Sequence, residues 1–230
     1  MAVKERKFVK ADSGKEVKNP AVTPRTKQER RETATGKRIA AVVFWLLALA
    51  CEVALILTLN KTLYFEKGML YWQLGFIIVD AILVIIGAQF WKRANDVDPA
   101  SEENKVKFFL WNQMGLIAAA ICLAPLVILL ISNKDLDKKT KNILVPVAAA
   151  ALVIAGLFSW DWNPMSEEEM TETINEYSTE TVYYTRWGRS YHLDPNCQAL
   201  LNSSVVFEGN IQEALDAGRN DPCDFCVPQH

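Results

Sequence analysis

Four long apolar runs constrain this chain more than anything else in it: Ile39–Leu59, Leu70–Trp91, Phe108–Ile131 and Ile143–Trp160. A helix rising 1.5 Å per residue needs roughly 20 apolar residues to cross the hydrocarbon of a bilayer. A helix on the surface of a soluble domain keeps a polar face, and these runs have none. The last run is the shortest and holds Pro146, but it carries no charge. The pattern predicts four transmembrane helices. The first is preceded by 38 residues, too long a leader for an ordinary cleaved signal, and its apolar stretch continues through Val53–Leu59, so it reads as an uncleaved span.

Charge is segregated around these runs. Residues 1–38 hold twelve Lys/Arg against five Asp/Glu, whereas residues 161–230 hold three against thirteen. The formal net charge of −2 conceals this polarity. A Lys/Arg excess before the first span places the N-terminus in the cytoplasm, and four crossings return the C-terminus to the same side. The loop Asn60–Met69, with only Lys61 and Lys67, suits the outside. Lys92, Arg93, Lys105 and Lys107 suit the inside, while Lys134, Lys138, Lys139 and Lys141 run against the rule.

Three further regions follow. The leader, 1–38, lacks apolar periodicity and is expected to be disordered, with its cations free to touch anionic lipid. Residues 161–180 open on Trp160-Asp161-Trp162 and continue through Ser166-Glu167-Glu168-Glu169, which predicts an acidic linker or solvated helix. A compact module is expected over 181–230.

The module is where chemistry gathers. Thr181–Thr185 is β-branched and aromatic, Trp187-Gly188-Arg189 is a turn in which Gly188 is free to take positive φ, and Ser190-Tyr191-His192 is a return strand. Val205–Phe207 reads as a third strand. Asn210 with Glu213 reads as a capping box, and Gly218 ends that helix. Into this frame fall His192, Cys197, Cys223 and Cys226, the last two in a C-x-x-C loop. One nitrogen and three sulfurs suit a tetrahedral Zn2+, and a module this small gains from metal-coupled folding. A disulfide would strand one of the three thiols, whereas Cys3His uses them all. A reducing cytosol keeps them free.

Thr185-x-x-Gly188-x-x-Tyr191-His192-x4-Cys197, followed by Glu213-Ala214-x-x-Ala217-Gly218-x3-Pro222-Cys223-x-x-Cys226, resembles the metal-binding fold of Ada-type DNA-repair proteins. It is closer to the small His/Cys variants of that fold carried as C-terminal tails by bacterial secreted nucleases and membrane proteins. The resemblance implies a zinc site at His192, Cys197, Cys223 and Cys226. In the repair proteins a zinc-bound thiolate accepts a methyl group from a DNA phosphotriester. Here His192 replaces the first cysteine, and the spacing to Cys197 is one residue longer. The module's Arg186, Arg189 and Arg219 are outnumbered by acids, so nucleic acid is not an expected partner.

Within the spans, Glu52 and Asp80 stand at comparable depth, and intramembrane carboxyls mark functional candidates. They read either as a proton or cation site or as protonated groups hydrogen-bonded to neighbouring helices, with Asn112 and Gln113 as possible partners. Gly115-x3-Ala119 and Ala151-x3-Ala155 permit close helix packing or a homo-oligomer. Cys51 and Cys122 read as inert packing thiols. There is no phosphate-binding glycine loop, nucleophile elbow or H-E-x-x-H, and a four-ligand zinc lacks an open position, so no catalysis is expected. The fold class expected is an α-helical membrane protein with four transmembrane helices and a small α+β zinc-binding module. That module would serve interaction with a protein partner or regulation. The alternatives are solute or ion transport through Glu52 and Asp80, and redox or metal sensing by the thiolates.

Overall fold

The computed structural model describes residues 7–10 and 25–228. His230 and the rest of the leader lie outside the described residues. In chain order the elements are β1 (Lys7–Lys10), α1 (Lys27–Leu59), α2 (Met69–Asn95), α3 (Lys105–Asn112), α4 (Met114–Ser132), α5 (Lys138–Ser159), α6 (Glu167–Glu176), β2 (Val182–Tyr184), β3 (Ser190–His192), β4 (Val205–Gly209), α7 (Ile211–Asp216) and β5 (Asp221–Pro222). They separate into two compact units. One holds residues 35–94 and 104–163; the other gathers the described residues before 35, residues 95–103 and residues 164–228.

The helical unit contains four helices long and apolar enough to cross a membrane: α1, α2, α4 and α5. Small residues set how closely they pack. A Cβ on Gly87 would lie 2.5 Å from Trp45 Nε1, and one on Gly115 would lie 2.7 Å from the Ala88 Cβ. The interior is layered along the bundle. Leu55, Ile77, Leu126, Leu130 and Leu144 fill one part. Ala48, Val84, Ala119, Cys122 and Ala155 fill the next. Trp45 and Trp91 pack with their ring centroids 5.5 Å apart. Pro125 and Pro146 lie inside α4 and α5 rather than at their ends.

The third apolar run differs from its expectation. It is not one helix from Phe108: the chain breaks at Gln113, and the membrane-length helix is Met114–Ser132. Gln113 is turned to another task. Its Nε2 donates to the Asp161 carbonyl at 2.9 Å, and its Oε1 accepts from the Asp161 N–H. That pairing ties the start of α4 to the end of α5, so Gln113 does not serve Glu52 or Asp80. Helix ends elsewhere are closed by lysines: Lys92 reaches the Phe158 carbonyl at 3.0 Å, and Lys141 reaches that of Asn133 at 3.1 Å. Both complement the electronegative carboxyl end of a helix.

The second unit holds a five-stranded sheet in the order β1-β4-β2-β3-β5. β2 pairs antiparallel with both β3 and β4, whereas β1 on β4 and β5 on β3 are parallel. Here too the boundaries move. Where an unstructured leader is expected over 1–38, Lys7–Lys10 form a strand and Lys27–Arg38 are helical, continuous with the first apolar run. Helical hydrogen bonding simply propagates backwards from the apolar run, since adding a residue is far easier than nucleating a helix. Residues 161–180 are not a linker. α6 is opened by a Ser166–Glu169 capping box and buries Met170 and Ile174 in the module core. Its acids line only the outward face, which is what composition registers. The module therefore begins near Pro164 rather than Thr181, and it also recruits 95–103: the Glu167 N–H donates to the Ala100 carbonyl at 3.1 Å, and the Glu102 N–H to Glu168 Oε2 at 2.9 Å.

Candidate metal centre

The β2–β3 hairpin delivers the first ligand. Val182 and Tyr184 point into the core, and Tyr183 pairs with His192, so the register sets His192 at the buried end of β3. The turn between the strands is not made by a positive φ at Gly188. Its N–H instead donates to Thr185 Oγ1 at 2.9 Å, and a Cβ on residue 188 would fall 2.6 Å from that oxygen. Close approach, not handedness, requires glycine there. Positive φ is used at Gly218, where φ is +73° as the chain leaves α7.

Cys197 arrives from a turn in which its N–H donates to the Asp194 carbonyl at 3.0 Å. The second pair depends on β5. The Cys223 N–H donates to the Tyr191 carbonyl at 3.1 Å, which fixes Cys223 beside the strand carrying His192. The Cys226 and Val227 N–H groups then fold back onto the Cys223 carbonyl at 3.3 and 3.0 Å, closing the C-x-x-C loop. Arg219 locks the approach: its Nε donates to the Thr185 carbonyl at 2.9 Å, and its two terminal nitrogens donate to the Ala217 and Arg186 carbonyls.

One ligand atom from each of His192, Cys197, Cys223 and Cys226 lies within 4.8 Å of all the others. Cys197 Sγ is 3.7 Å from Cys223 Sγ, and Cys226 Sγ is 3.6 Å from His192 Nδ1. Sulfurs held at about 2.3 Å by a tetrahedral ion stand about 3.8 Å from one another. The spacing therefore fits one ion and is too wide for an S–S bond. No disulfide joins any of the cysteines. His192, Cys197 and Cys223 are buried and Cys226 is half-buried, in a core with Tyr191, Leu200, Val206 and Leu215. Burial pushes the Cys197 thiol up to about 11, with the neighbouring thiols adding to it, and holds His192 below the ordinary imidazole value. A neutral imidazole is the form that ligates. The Cys197 thiol would need a cation to become a thiolate at neutral pH.

Asp194, Asp221 and Asp224 do not join this group among the described residues, so the donor set is nitrogen and sulfur only. Glu52 and Asp80 belong to the other unit and are treated below. No local residue pattern marks the contribution of 95–103, which is reached only through the tertiary fold: a Cβ on Gly218 would meet Asp96 Oδ2 at 3.0 Å. Compared with protein-family models, curated proteins and solved structures, the chain matches none.

Proposed function

We propose that the chain is a multi-pass membrane protein whose cytoplasmic module is held together by one structural zinc ion and presents a surface for a protein partner. The observation that carries this is the buried quartet His192, Cys197, Cys223 and Cys226, with all four ligand atoms inside 4.8 Å. A nitrogen-and-sulfur set favours zinc over oxygen-seeking magnesium or calcium. All four positions are taken by protein, so a bound ion would clamp the hairpin to the C-x-x-C loop and leave no position open for substrate. The Ada-type resemblance supports the same ligand assignment. Its methyl-accepting role is not carried over, because Arg219 is spent on backbone carbonyls.

Topology is supported by which segments share the module. Residues preceding the first span, residues between the second and third, and residues after the fourth all belong to one unit. Four crossings put those same three segments on one side of the bilayer. The Lys/Arg bias of the first helix makes that side cytoplasmic, and Lys141, in the loop that opposes the rule, is engaged with helix-end carbonyls. Trp187, Leu201 and Phe225 stand exposed on the module and supply the apolar contact a partner would use. The test is metal analysis of the purified full chain beside its Cys223→Ser, Cys226→Ser variant, together with carbonate extraction of membranes. About one zinc per chain, lost in the variant, and retention in the membrane are expected. Absence of metal overturns the module assignment, and extraction into the soluble fraction overturns the spans.

A further inference from the structure

The seam between α1 and α2 is polar where a membrane bundle should be apolar, and its polar atoms are unbalanced. Asp80 is 1% exposed, and neither of its carboxylate oxygens has a hydrogen-bond partner. Two helical turns towards the loop of residues 60–68, Gln73 is equally enclosed, and its Oε1 is also unpartnered. Its Nε2 faces Thr58 Oγ1 at 3.4 Å, and the Thr58 hydroxyl donates to the Leu55 carbonyl at 2.7 Å. Glu52, on the facing side of α1, is buried within electrostatic reach of Asp80. The seam thus holds three orphan acceptor oxygens and no charged donor. Buried polar atoms are left this way rarely, because an unmet acceptor loses its hydration without compensation.

No cation is at hand to neutralise the pair. Residues 39–59, 70–91, 114–132 and 143–159 contain no Lys, Arg or His. The titratable neighbours are Glu52 and Cys51 on α1 and Cys122 on α4, while α5 contributes only Ala151, Leu152 and Ala155 to that layer. What the site lacks is a donor that can enter a space lined by packed helices, and a proton is the one cation needing no coordination shell.

The polar seam also has a direction. Thr58 and Gln73 lead from the 60–68 end towards Glu52 and Asp80. Beyond Asp80 the seam is closed: the Trp45 ring lies against Gly87, its Nε1 donates to the Val84 carbonyl at 3.4 Å, and the tilted rings of Trp91 and Trp111 pack behind it. We propose that Glu52 and Asp80 form an exchangeable proton-binding site, reached by way of Thr58 and Gln73 from the 60–68 face and sealed on the opposite side by Trp45. Protons come from water on that face and return to it. The site is a one-sided buffer or sensor of that compartment, and it rests on reading the four helices as spans.

A protonated carboxyl in an apolar site reacts with dicyclohexylcarbodiimide: the proton passes to a carbodiimide nitrogen, and the carboxylate oxygen bonds to the central carbon. Labelling of the full chain in micelles, mapped by peptide mass, should place the adduct on Asp80 or Glu52. The rate should fall by up to tenfold per pH unit once the site titrates, roughly as the protonated fraction falls. The isosteric Asp80→Asn variant should lose the Asp80 adduct. No adduct at acidic pH, or a rate flat with pH, overturns the proposal. Suppression by sodium but not by choline at fixed pH also overturns it, in favour of a metal-cation site. In sealed vesicles, with orientation read from a Thr62→Cys tag and an impermeant maleimide, labelling should follow the pH of the compartment bathing residues 60–68. Dependence on the other compartment overturns the one-sided access. Carbonate extraction tests the spans separately, so failure of the two readings can be told apart.

Discussion

The two units bury polar chemistry in opposite ways. In the module, four ligand atoms of complementary type converge within 4.8 Å, His192 and Cys223 placed by strand pairing and Cys197 and Cys226 by the turns of their own loops. In the helical unit, Asp80 and Gln73 are just as enclosed, yet their oxygens face no donor. The first arrangement is a complete coordination set that wants one ion to hold it. The second is an incomplete hydrogen-bond set, and incompleteness in a buried site is a way of remaining responsive. Stability in the module should therefore follow metal, and stability in the bundle should follow packing.

The largest separation is expected from Cys223→Ser with Cys226→Ser. Structural zinc supplies on the order of 10 kcal/mol to small domains. Amide-exchange protection over β2 to β5 should collapse, while that of α4 and α5 stays at the wild-type level; loss in both units would break the comparison. The converse variant is Gly87→Ala, which drives a methyl group into the Trp45 ring. It should cost the bundle about 1–3 kcal/mol in thermal unfolding and leave the metal content unchanged. Acid should also divide the units. Burial holds His192 below its ordinary value, so the neutral ligand and its stabilisation are fully present above that ordinary value and are lost as pH falls from there through the lowered folded value. Metal release followed by a chromogenic chelator should rise on acidification, while helix content of the four apolar helices holds. The smallest effect is expected for Asn210→Ala, which removes the side chain that accepts from the Glu213 N–H at 2.8 Å. About 1 kcal/mol of module stability should go, with zinc still bound.

What could be read in advance divides along the same line. His192, Cys197, Cys223 and Cys226, the hairpin, and the Asn210–Glu213 capping box are encoded by residues a few positions apart, and local patterns announce them. The four apolar helices are equally legible, because each is an unbroken run of apolar residues long enough to cross a bilayer. Long-range pairings were opaque. Nothing around Gln113 signals that its amide is bound to Asp161 rather than to a buried carboxyl. The acids of α6 conceal Met170 and Ile174, two apolar residues four apart that suffice to dock it. The docking of 95–103 against α6 and Gly218 exists only in three dimensions.

The scattering of the module along the chain has a consequence for its birth. Asp96 leaves the ribosome long before Gly218, the residue it packs against. At 5–20 residues per second that interval is roughly 6 to 25 s. For the last 42 residues of that interval, from Glu176 to Gly218, roughly 2 to 8 s at the same rate, α6 has no finished core to cover, and its apolar stripe is open to chaperones and proteases. Completion waits on the last cysteine pair. A nascent chain stalled or truncated before Cys223 would carry its four apolar helices in full and still display the apolar surface by which cells recognise unfinished proteins.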